Sequence, residues 1–191
     1  MSNKGFLVVL SSPSGGGKTT LCRMLQENYS DIAYSISATT RPKRNNEENG
    51  KDYYFMSEDE FKKKESEGYF AETAKVHDYF YGTPVDMIKK STDKGFIVVM
   101  DLDVKGAMSI MSKFSDSVTV FIKPPSMAVL KERLMKRNTD DDEVIRIRLR
   151  NAEEELKQSD RFKYQIINED LEKTYESIIQ IIENEKKRRN K

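Results

Sequence analysis

The sequence is poor in the features that mark several classes of protein. It has one cysteine, Cys22, among 191 residues, so the chain forms no internal disulfide framework. Its first apolar run, residues 6–10, is far too short to cross a bilayer or serve as a signal peptide, and no later run is longer. A net charge of +1 argues against a general nucleic-acid binder. We therefore expect one compact cytoplasmic protein, a monomer or homodimer, with neither a nucleic-acid nor a membrane partner.

What the sequence does contain is a glycine-rich stretch at residues 11–20. It follows the apolar run and precedes a helical pattern that places Leu21 and Leu25 on one face. Strand, glycine loop and helix start, in that order, are typical of a Walker-type phosphate-binding loop. Glycines let successive N–H groups turn toward an anion, and the helix adds its positive end. Ser12 stands where the pattern usually begins with glycine, but Pro13 favours an extended Ser12, so we expect an intact loop.

We expect this loop to bind the phosphates of a nucleotide. Lys18 is placed to reach the β- and γ-phosphates and to act in catalysis, and the Thr19 hydroxyl is placed to bind Mg²⁺. Asp101, at the end of a later buried strand, is predicted to be a second Mg²⁺ ligand. The predicted nucleotide-binding residues of the loop, which the resemblance described below assigns to ATP, are Ser12, Pro13, Ser14, Gly15, Gly16, Gly17, Lys18, Thr19 and Thr20. The alternative, a flexible glycine-rich linker, does not account for Lys-Thr directly after a buried strand.

The rest of the chain alternates strand and helix patterns. Apolar runs at 96–100 and 118–122 are typical of buried parallel strands, so the sequence predicts an α/β fold with helices on both faces of a parallel sheet. Ligands bind beyond the carboxyl ends of such strands, where Asn168 and residues 101–103 also fall. A hairpin-rich block, residues 37–93, interrupts the alternation. Within it we expect a turn at 79–82 and a helix at 85–91 that Thr83 caps and Pro84 begins.

Three arginines follow the third strand–helix unit. Arg133 and Arg137 are four residues apart and share a helix face, and Arg148 lies on the next helix. Together they could clamp transferring phosphates. The alternative is a solvated charged helix, which the presence of a phosphate loop in the same chain disfavours.

A second cluster of polar residues precedes residue 104. Arg41, Arg44, Tyr53 and Tyr81 could hold a phosphate dianion by charged and neutral hydrogen bonds.

Two carboxylates, Glu72 and Asp103, could serve the base of the same ligand. They would suit the N1–H and 2-amino donors of guanine, with Ser37, Thr83 or Arg41 serving O6. Adenine has no N1–H donor and would leave the buried acid unpaired.

These motifs, in this order, resemble the guanylate kinase family over nearly the whole chain. The resemblance rests on the phosphate loop and on Ser37-Ala38-Thr39-Thr40-Arg41-Pro42-Lys43-Arg44, Gly50-Lys51-Asp52-Tyr53-Tyr54-Phe55, Phe70-Ala71-Glu72, Tyr81-Gly82-Thr83-Pro84 and Asp101-Leu102-Asp103-Val104. It implies a P-loop core at 1–36, 94–125 and 159–191, a mixed α+β GMP-binding region at 37–93 and a helical lid region at 126–158. Two positions depart from the family pattern: Thr73 stands where tryptophan is frequent, and Lys105 where glutamine is usual.

The resemblance also implies roles for individual residues. The GMP site would comprise Ser37, Arg41, Arg44, Tyr53, Glu72, Tyr81, Thr83 and Asp103. Lys18 and Thr19 would serve ATP and Mg²⁺, the three lid arginines would contact ATP phosphates, and Asn168 would lie near adenine. The catalytic set would be Lys18, Arg41, Arg133, Arg137 and Arg148.

The implied reaction is ATP + GMP giving ADP + GDP, as in purine metabolism and GMP recycling, with dGMP left open as a second acceptor. Three alternatives remain. A P-loop GTPase would use the D-x-x-G pattern at 103–106, although no N-K-x-D motif occurs. A guanylate-kinase-like binding module would lack activity. A kinase of the same architecture could use AMP, UMP or a nucleoside.

Overall fold

The computed structural model describes residues 4–45, 47–76, 78–136 and 142–190. Its strands are β1 (Leu7–Ser11), β2 (Ile32–Tyr34), β3 (Ala38–Thr39), β4 (Tyr54–Phe55), β5 (Phe70–Val76), β6 (Tyr79–Pro84), β7 (Ile97–Leu102), β8 (Val118–Lys123) and β9 (Tyr164–Ile167). Its helices are α1 (Lys18–Asn28), α2 (Glu58–Ser66), α3 (Val85–Asp93), α4 (Val104–Lys113), α5 (Met127–Lys136), α6 (Asp142–Leu156) and α7 (Leu171–Arg189), with a 3-10 turn at Ser159–Arg161. None of the helices within these ranges is long and apolar enough to cross a bilayer.

The main sheet has five parallel strands in the order β2-β7-β1-β8-β9. Every residue of β1 is buried, because the sheet is covered on both sides. Val8 and Leu10 pack in one core cluster with residues of α1 and α7, whereas Leu7 and Val9 pack in another with residues of α3 and α4. Strand residues alternate between faces, so the two clusters lie on opposite sides of the sheet. The predicted α/β fold is confirmed.

A second, smaller sheet is formed entirely within the hairpin-rich block. Its order is β4-β3-β6-β5, with β6 antiparallel to β3 and β5 and β4 parallel to β3. Helix α2 covers it through Phe61, which is fully buried and stacks on Phe70 with ring centroids 4.5 Å apart. The block therefore has a core of its own.

Two local predictions in this block were wrong. The aromatic segment 79–82 is not a turn but part of β6, where pairing with β5 from Val76–Tyr79 onward stabilises an extended backbone. The N-cap of α3 is Pro84 rather than Thr83. The Thr83 side chain donates instead to a buried carboxylate, described below, so it is not available to cap the helix.

The main sheet sets the position of the polar residues. Strand β1 leads into the glycine loop, β7 ends between Asp101 and Asp103, and β9 ends one residue before Asn168. Because β1, β7, β8 and β9 are parallel, these ends lie along one edge of the sheet.

Candidate active site

The loop between β1 and α1 has the conformation that its glycines allow. Gly15 and Gly17 have φ angles of 92° and 87°, in the left-handed region that other residues rarely adopt. The Gly16 N–H donates to the Pro13 carbonyl at 3.0 Å, which closes the turn. Helix α1 begins directly at Lys18, so the N–H groups of its first turn, which lack partners within the helix, lie beside the loop.

The unusual Ser12 is built into this loop. Its hydroxyl is buried, donates to the Pro13 carbonyl at 3.0 Å and accepts from Lys18 Nζ at 3.1 Å. A Cβ atom on Gly16 would lie only 2.1 Å from the Ser12 Oγ. The serine therefore fills space beside Gly16 and makes glycine necessary there.

Lys18 folds back across the loop toward Ser12. Its Nζ donates to the Ser12 carbonyl oxygen at 2.5 Å. Burial lowers the pKa of Lys18, and the carboxylates of Asp101, Glu155 and Asp103 oppose that effect. The lysine is thus a desolvated cation with acidic groups around it, ready to exchange a carbonyl for a more strongly charged acceptor.

Next to Lys18, Thr19 and Asp101 form the predicted metal-side pair. The Thr19 hydroxyl donates to Asp101 Oδ2 at 2.7 Å, and the Tyr34 hydroxyl donates to Asp101 Oδ1. No cluster of three or more His, Cys, Asp or Glu side chains able to hold a metal occurs among the described residues. Hydroxyl and carboxylate oxygens nevertheless suit Mg²⁺, which in kinases takes one or two protein ligands together with nucleotide phosphates and waters.

Two of the predicted arginines contact the phosphate loop or the residue that follows β9. Arg148 of α6 donates to the Ser14 Oγ at 3.2 Å, and Arg133 of α5 donates to the Asn168 carbonyl at 2.9 Å. Arg137 lies outside the described residues. Of the remaining loop residues, Pro13 is buried and Thr20 is exposed on the first turn of α1.

Asn168 is buried beneath the same loop. Its Nδ2 donates to the Gly16 carbonyl at 3.0 Å, and its Oδ1 accepts from the Thr174 hydroxyl at 3.1 Å. The side chain thus ties the end of β9 to the phosphate loop, and its predicted place near adenine stays a prediction.

The predicted acceptor-phosphate residues come together at the small sheet. The Arg41 guanidinium carbon lies 5.4 Å from the Tyr53 ring centroid, and the Tyr53 and Tyr81 rings are 6.0 Å apart. Arg41 Nη2 pairs with Glu47 Oε1 at 2.6 Å. The hydrogen bond to Glu47 raises the pKa of Arg41, and burial opposes that rise.

Arg44, the fourth member of this set, and Ser37, predicted to serve guanine O6, lie nearby. The Arg44 N–H donates to Glu47 Oε2 at 2.9 Å, while its side chain is exposed. Ser37 is half-buried between β2 and β3, and its carbonyl accepts from the Tyr54 N–H at 2.9 Å.

The two predicted base-recognition carboxylates converge. Glu72 is only 4% exposed, and its Oε1 accepts from the Thr83 hydroxyl at 2.6 Å. Asp103 Oδ1 accepts from the Gly106 N–H at 2.7 Å and so caps α4. A Cβ atom on Gly106 would lie 3.0 Å from Glu72 Oε2 and 3.3 Å from Asp103 Oδ1. Both carboxylates therefore border the same small space.

Their environment favours a ligand that donates hydrogen bonds. Burial raises the pKa of Glu72, and the negative charge of Asp103 adds to the rise, while the Thr83 hydrogen bond opposes it. Oε2 is the oxygen of Glu72 on the side of Asp103, so the pair offers acceptors and negative charge to an incoming group.

The match to known proteins covers the whole arrangement. A family model described as guanylate kinase matches residues 4–185. The chain belongs to the guanylate kinase family. It is 44% identical to the guanylate kinase of Caldanaerobacter subterraneus over 193 aligned positions, which cover 100% of this chain and 94% of that relative. The guanylate kinase of Thermotoga maritima is 42% identical, with 96% and 88% covered.

Solved structures of the guanylate kinase family agree. The crystal structure of guanylate kinase from Anaplasma phagocytophilum superposes with a TM-score of 0.79 at 35% identity, covering 96% of this chain and 87% of that one. The fold and the family membership therefore rest on both sequence and structure.

Three residues of this site were missed by sequence reasoning. Glu47 pairs with Arg41, six positions away, and an acid beside the two arginines was a usable signal. Glu155 reaches the surroundings of Lys18 from α6, and its Oε2 is buried without a hydrogen-bond partner among the described residues. Tyr34 bonds Asp101 across β2 and β7, which no pattern within the sequence indicates.

Proposed function

We propose that the protein transfers the γ-phosphate of ATP to GMP and releases ADP and GDP, acting in GMP recycling in the cytoplasm. The observation that carries this proposal is the buried Glu72 carboxylate, which converges with Asp103 at the sheet edge that also bears the phosphate loop. Guanine presents N1–H and a 2-amino group as adjacent donors that match these acceptors. Adenine presents an acceptor at N1, which would leave the buried acid unpaired.

ATP is proposed to lie with its phosphates in the loop of residues 12–19. Lys18 would leave the Ser12 carbonyl, 2.5 Å away, and pair with the phosphate oxygens. Thr19 and Asp101 would hold Mg²⁺, directly or through water, and when bound the ion neutralises phosphate charge. The short contact between Thr19 and Asp101 already orients both groups.

The phosphate of GMP is proposed to bind among Arg41, Arg44, Tyr53 and Tyr81. The Glu47 carboxylate now accepts from the Arg41 side chain and from the Arg44 N–H. Like a phosphate, it is an anion that offers more than one acceptor oxygen. Bound GMP would therefore take over a guanidinium that is already oriented, instead of ordering a free side chain.

Transfer needs little covalent chemistry from the protein. The acceptor phosphate is already a nucleophilic anion, so no general base is required, and catalysis depends on positioning and on neutralising charge. Arg133 and Arg148 approach the loop from α5 and α6, and Arg137 is predicted to join them. An arginine in such a clamp contributes about 10³-fold or more in rate.

The chain is proposed to divide by task. Residues 37–93 would bind GMP, residues 126–158 would form a lid over ATP, and 1–36, 94–125 and 159–191 would form the core. Closure of the lid would exclude water from the transferring phosphate.

An acceptor panel tests the function. The full chain is given ATP and Mg²⁺ with GMP, dGMP, AMP, UMP or CMP in turn, and ADP release and the phosphorylated product are both measured. We expect GDP from GMP with a kcat/KM at least about 100-fold above that for AMP. Equal use of AMP would contradict guanine recognition. GTP binding with slow hydrolysis and no transfer would indicate a GTPase, and nucleotide binding without any turnover would indicate a binding module.

A further inference from the structure

Tyr34 lies at the metal side of the site, and the proposed reaction does not use it. It is half-buried at the end of β2, and its hydroxyl donates to Asp101 Oδ1. The other Asp101 oxygen accepts from the Thr19 hydroxyl at 2.7 Å. Two hydroxyl donors on separate elements therefore hold the carboxylate, one on each oxygen.

The sheet register explains why Tyr34 can reach this carboxylate. Tyr34 pairs with Val99 in the parallel β2–β7 ladder, and Asp101 lies two residues beyond Val99. Residues two apart on a strand point to the same face, so both side chains lie on the face covered by α1. The Tyr34 ring packs against the core cluster on that face, which fixes its hydroxyl in place.

We infer that Tyr34 is a positioning residue for Asp101 and thereby for the divalent cation of the phosphate donor. The inference rests on the proposed function only in taking Thr19 and Asp101 as the metal side of the site. A carboxylate with one oxygen fixed can turn about its last bond, whereas one with both oxygens fixed cannot. Tyr34 thus fixes the plane of the Asp101 carboxylate. The Thr19 hydroxyl, which donates to that carboxylate, is then held with its oxygen lone pairs facing the proposed site of the ion.

The test compares Tyr34→Phe with a matched control, Tyr164→Phe. Tyr164 makes the same kind of bond, donating to Glu185 at 2.6 Å, but at β9 and α7, away from the phosphate loop. Mn²⁺ binding to the complex of each protein with ADP is followed by the loss of the free-ion EPR signal. Affinity for ADP in EDTA, affinity for GMP and the melting temperature are measured on the same samples.

We expect Tyr34→Phe to weaken Mn²⁺ binding by about 3- to 10-fold. The variant loses one charge-assisted hydrogen bond, and only part of its free energy affects the ion because it acts through Asp101. Affinities for metal-free ADP and for GMP should stay within about twofold, because neither contacts the lost hydroxyl. Tyr164→Phe should leave Mn²⁺ binding unchanged.

The inference is overturned if Tyr34→Phe leaves the Mn²⁺ affinity within about twofold of the wild type. It is equally overturned if Mn²⁺, ADP and GMP affinities all fall together with the melting temperature, since that pattern indicates a structural role, or if the wild-type complex with ADP binds no Mn²⁺. Failure of the proposed function would show separately, as absence of GDP formation by the wild type while the Mn²⁺ results stand.

Discussion

Replacing the Glu72 carboxylate by an amide tests the proposal that this side chain recognises guanine. Glu72→Gln keeps the length and volume of the side chain and removes its charge. Oε1 accepts from the buried Thr83 hydroxyl at 2.6 Å, so an amide oxygen that keeps this bond turns its NH₂ group to the side of Oε2. In the proposed complex the NH₂ group would face the N1–H and 2-amino groups of guanine, so that donors oppose donors.

The magnitude follows from the bonds that are lost. A hydrogen bond to a charged group contributes about 1.5–3 kcal/mol, and the variant loses one to two of them, which spans about 1.5–6 kcal/mol. We expect a loss near the middle of that range, about 2–4 kcal/mol. Since each 1.4 kcal/mol is a factor of ten, the Kd of GMP should rise by about 30- to 1000-fold. The KM of ATP should change little, because the phosphate loop is not altered.

The effect should also depend on pH. Burial raises the pKa of Glu72 above its usual value, and the carboxylate must be ionised to accept both guanine donors. As the pH falls toward this raised pKa, the wild type loses affinity for GMP and the amide variant has no such loss. The phosphate of GMP itself titrates near pH 6, but equally for both proteins. The Kd of Glu72→Gln divided by the Kd of the wild type should therefore become smaller at acid pH.

Calorimetric titration of GMP into each protein at several pH values measures both effects. Glu65→Gln is the matched control, because the exposed Glu65 accepts from Thr73 at 2.7 Å in the same kind of threonine–glutamate pair. It should leave the Kd of GMP unchanged. A rise below about threefold for Glu72→Gln, or a ratio that stays constant with pH, would refute the argument that this carboxylate binds the base.

Two further predictions concern the phosphate loop. Gly16→Ala should lower kcat/KM for ATP by about 100-fold or more, because its Cβ would lie 2.1 Å from the Ser12 Oγ and displace the loop. Adding Ser12→Gly should restore most of the lost kcat/KM. A double variant as inactive as Gly16→Ala alone would contradict this cause. Glu155→Gln removes a negative charge that raises the pKa of Lys18, so the pKa should fall further below its usual value. The alkaline limb of the pH profile of kcat/KM for ATP should therefore move to lower pH. A limb that does not move would show that Glu155 leaves Lys18 unaffected.

The main sheet could be predicted because burial leaves a local pattern. Strands β1, β7 and β8 are covered on both faces, so each contains a continuous apolar run. The error at 79–82 has the opposite cause. Tyr79–Pro84 carries no periodic pattern of its own and is extended because β3 and β5 pair with it on both sides. Pairing between distant strands decides such a segment, and the segment itself does not record it.

The same distinction applies within the site. The glycine loop could be recognised because one loop needs all its parts within a few residues. That Glu72 and Asp103 converge depends on how the small sheet sits against α4, so the sequence could propose the pair but only the structure brings the two carboxylates to Gly106. Tyr34 left no signal, since a tyrosine at the end of a strand is ordinary until the register places a carboxylate beside it.

Four cationic side chains of the site share one property. Each donates a hydrogen bond to a group of the protein itself, where a phosphate is proposed to bind. Lys18 donates to a main-chain carbonyl, Arg41 to a carboxylate, Arg133 to a main-chain carbonyl and Arg148 to a hydroxyl. These partners hold the long side chains in place before any nucleotide arrives, which reduces the side-chain entropy lost on binding. They also select for charge, because only an acceptor stronger than a carbonyl or hydroxyl gains by replacing them. A nucleoside without its phosphate would leave the Arg41–Glu47 pair unbroken, and so the site distinguishes a nucleotide from a nucleoside by exchange of partners as well as by shape.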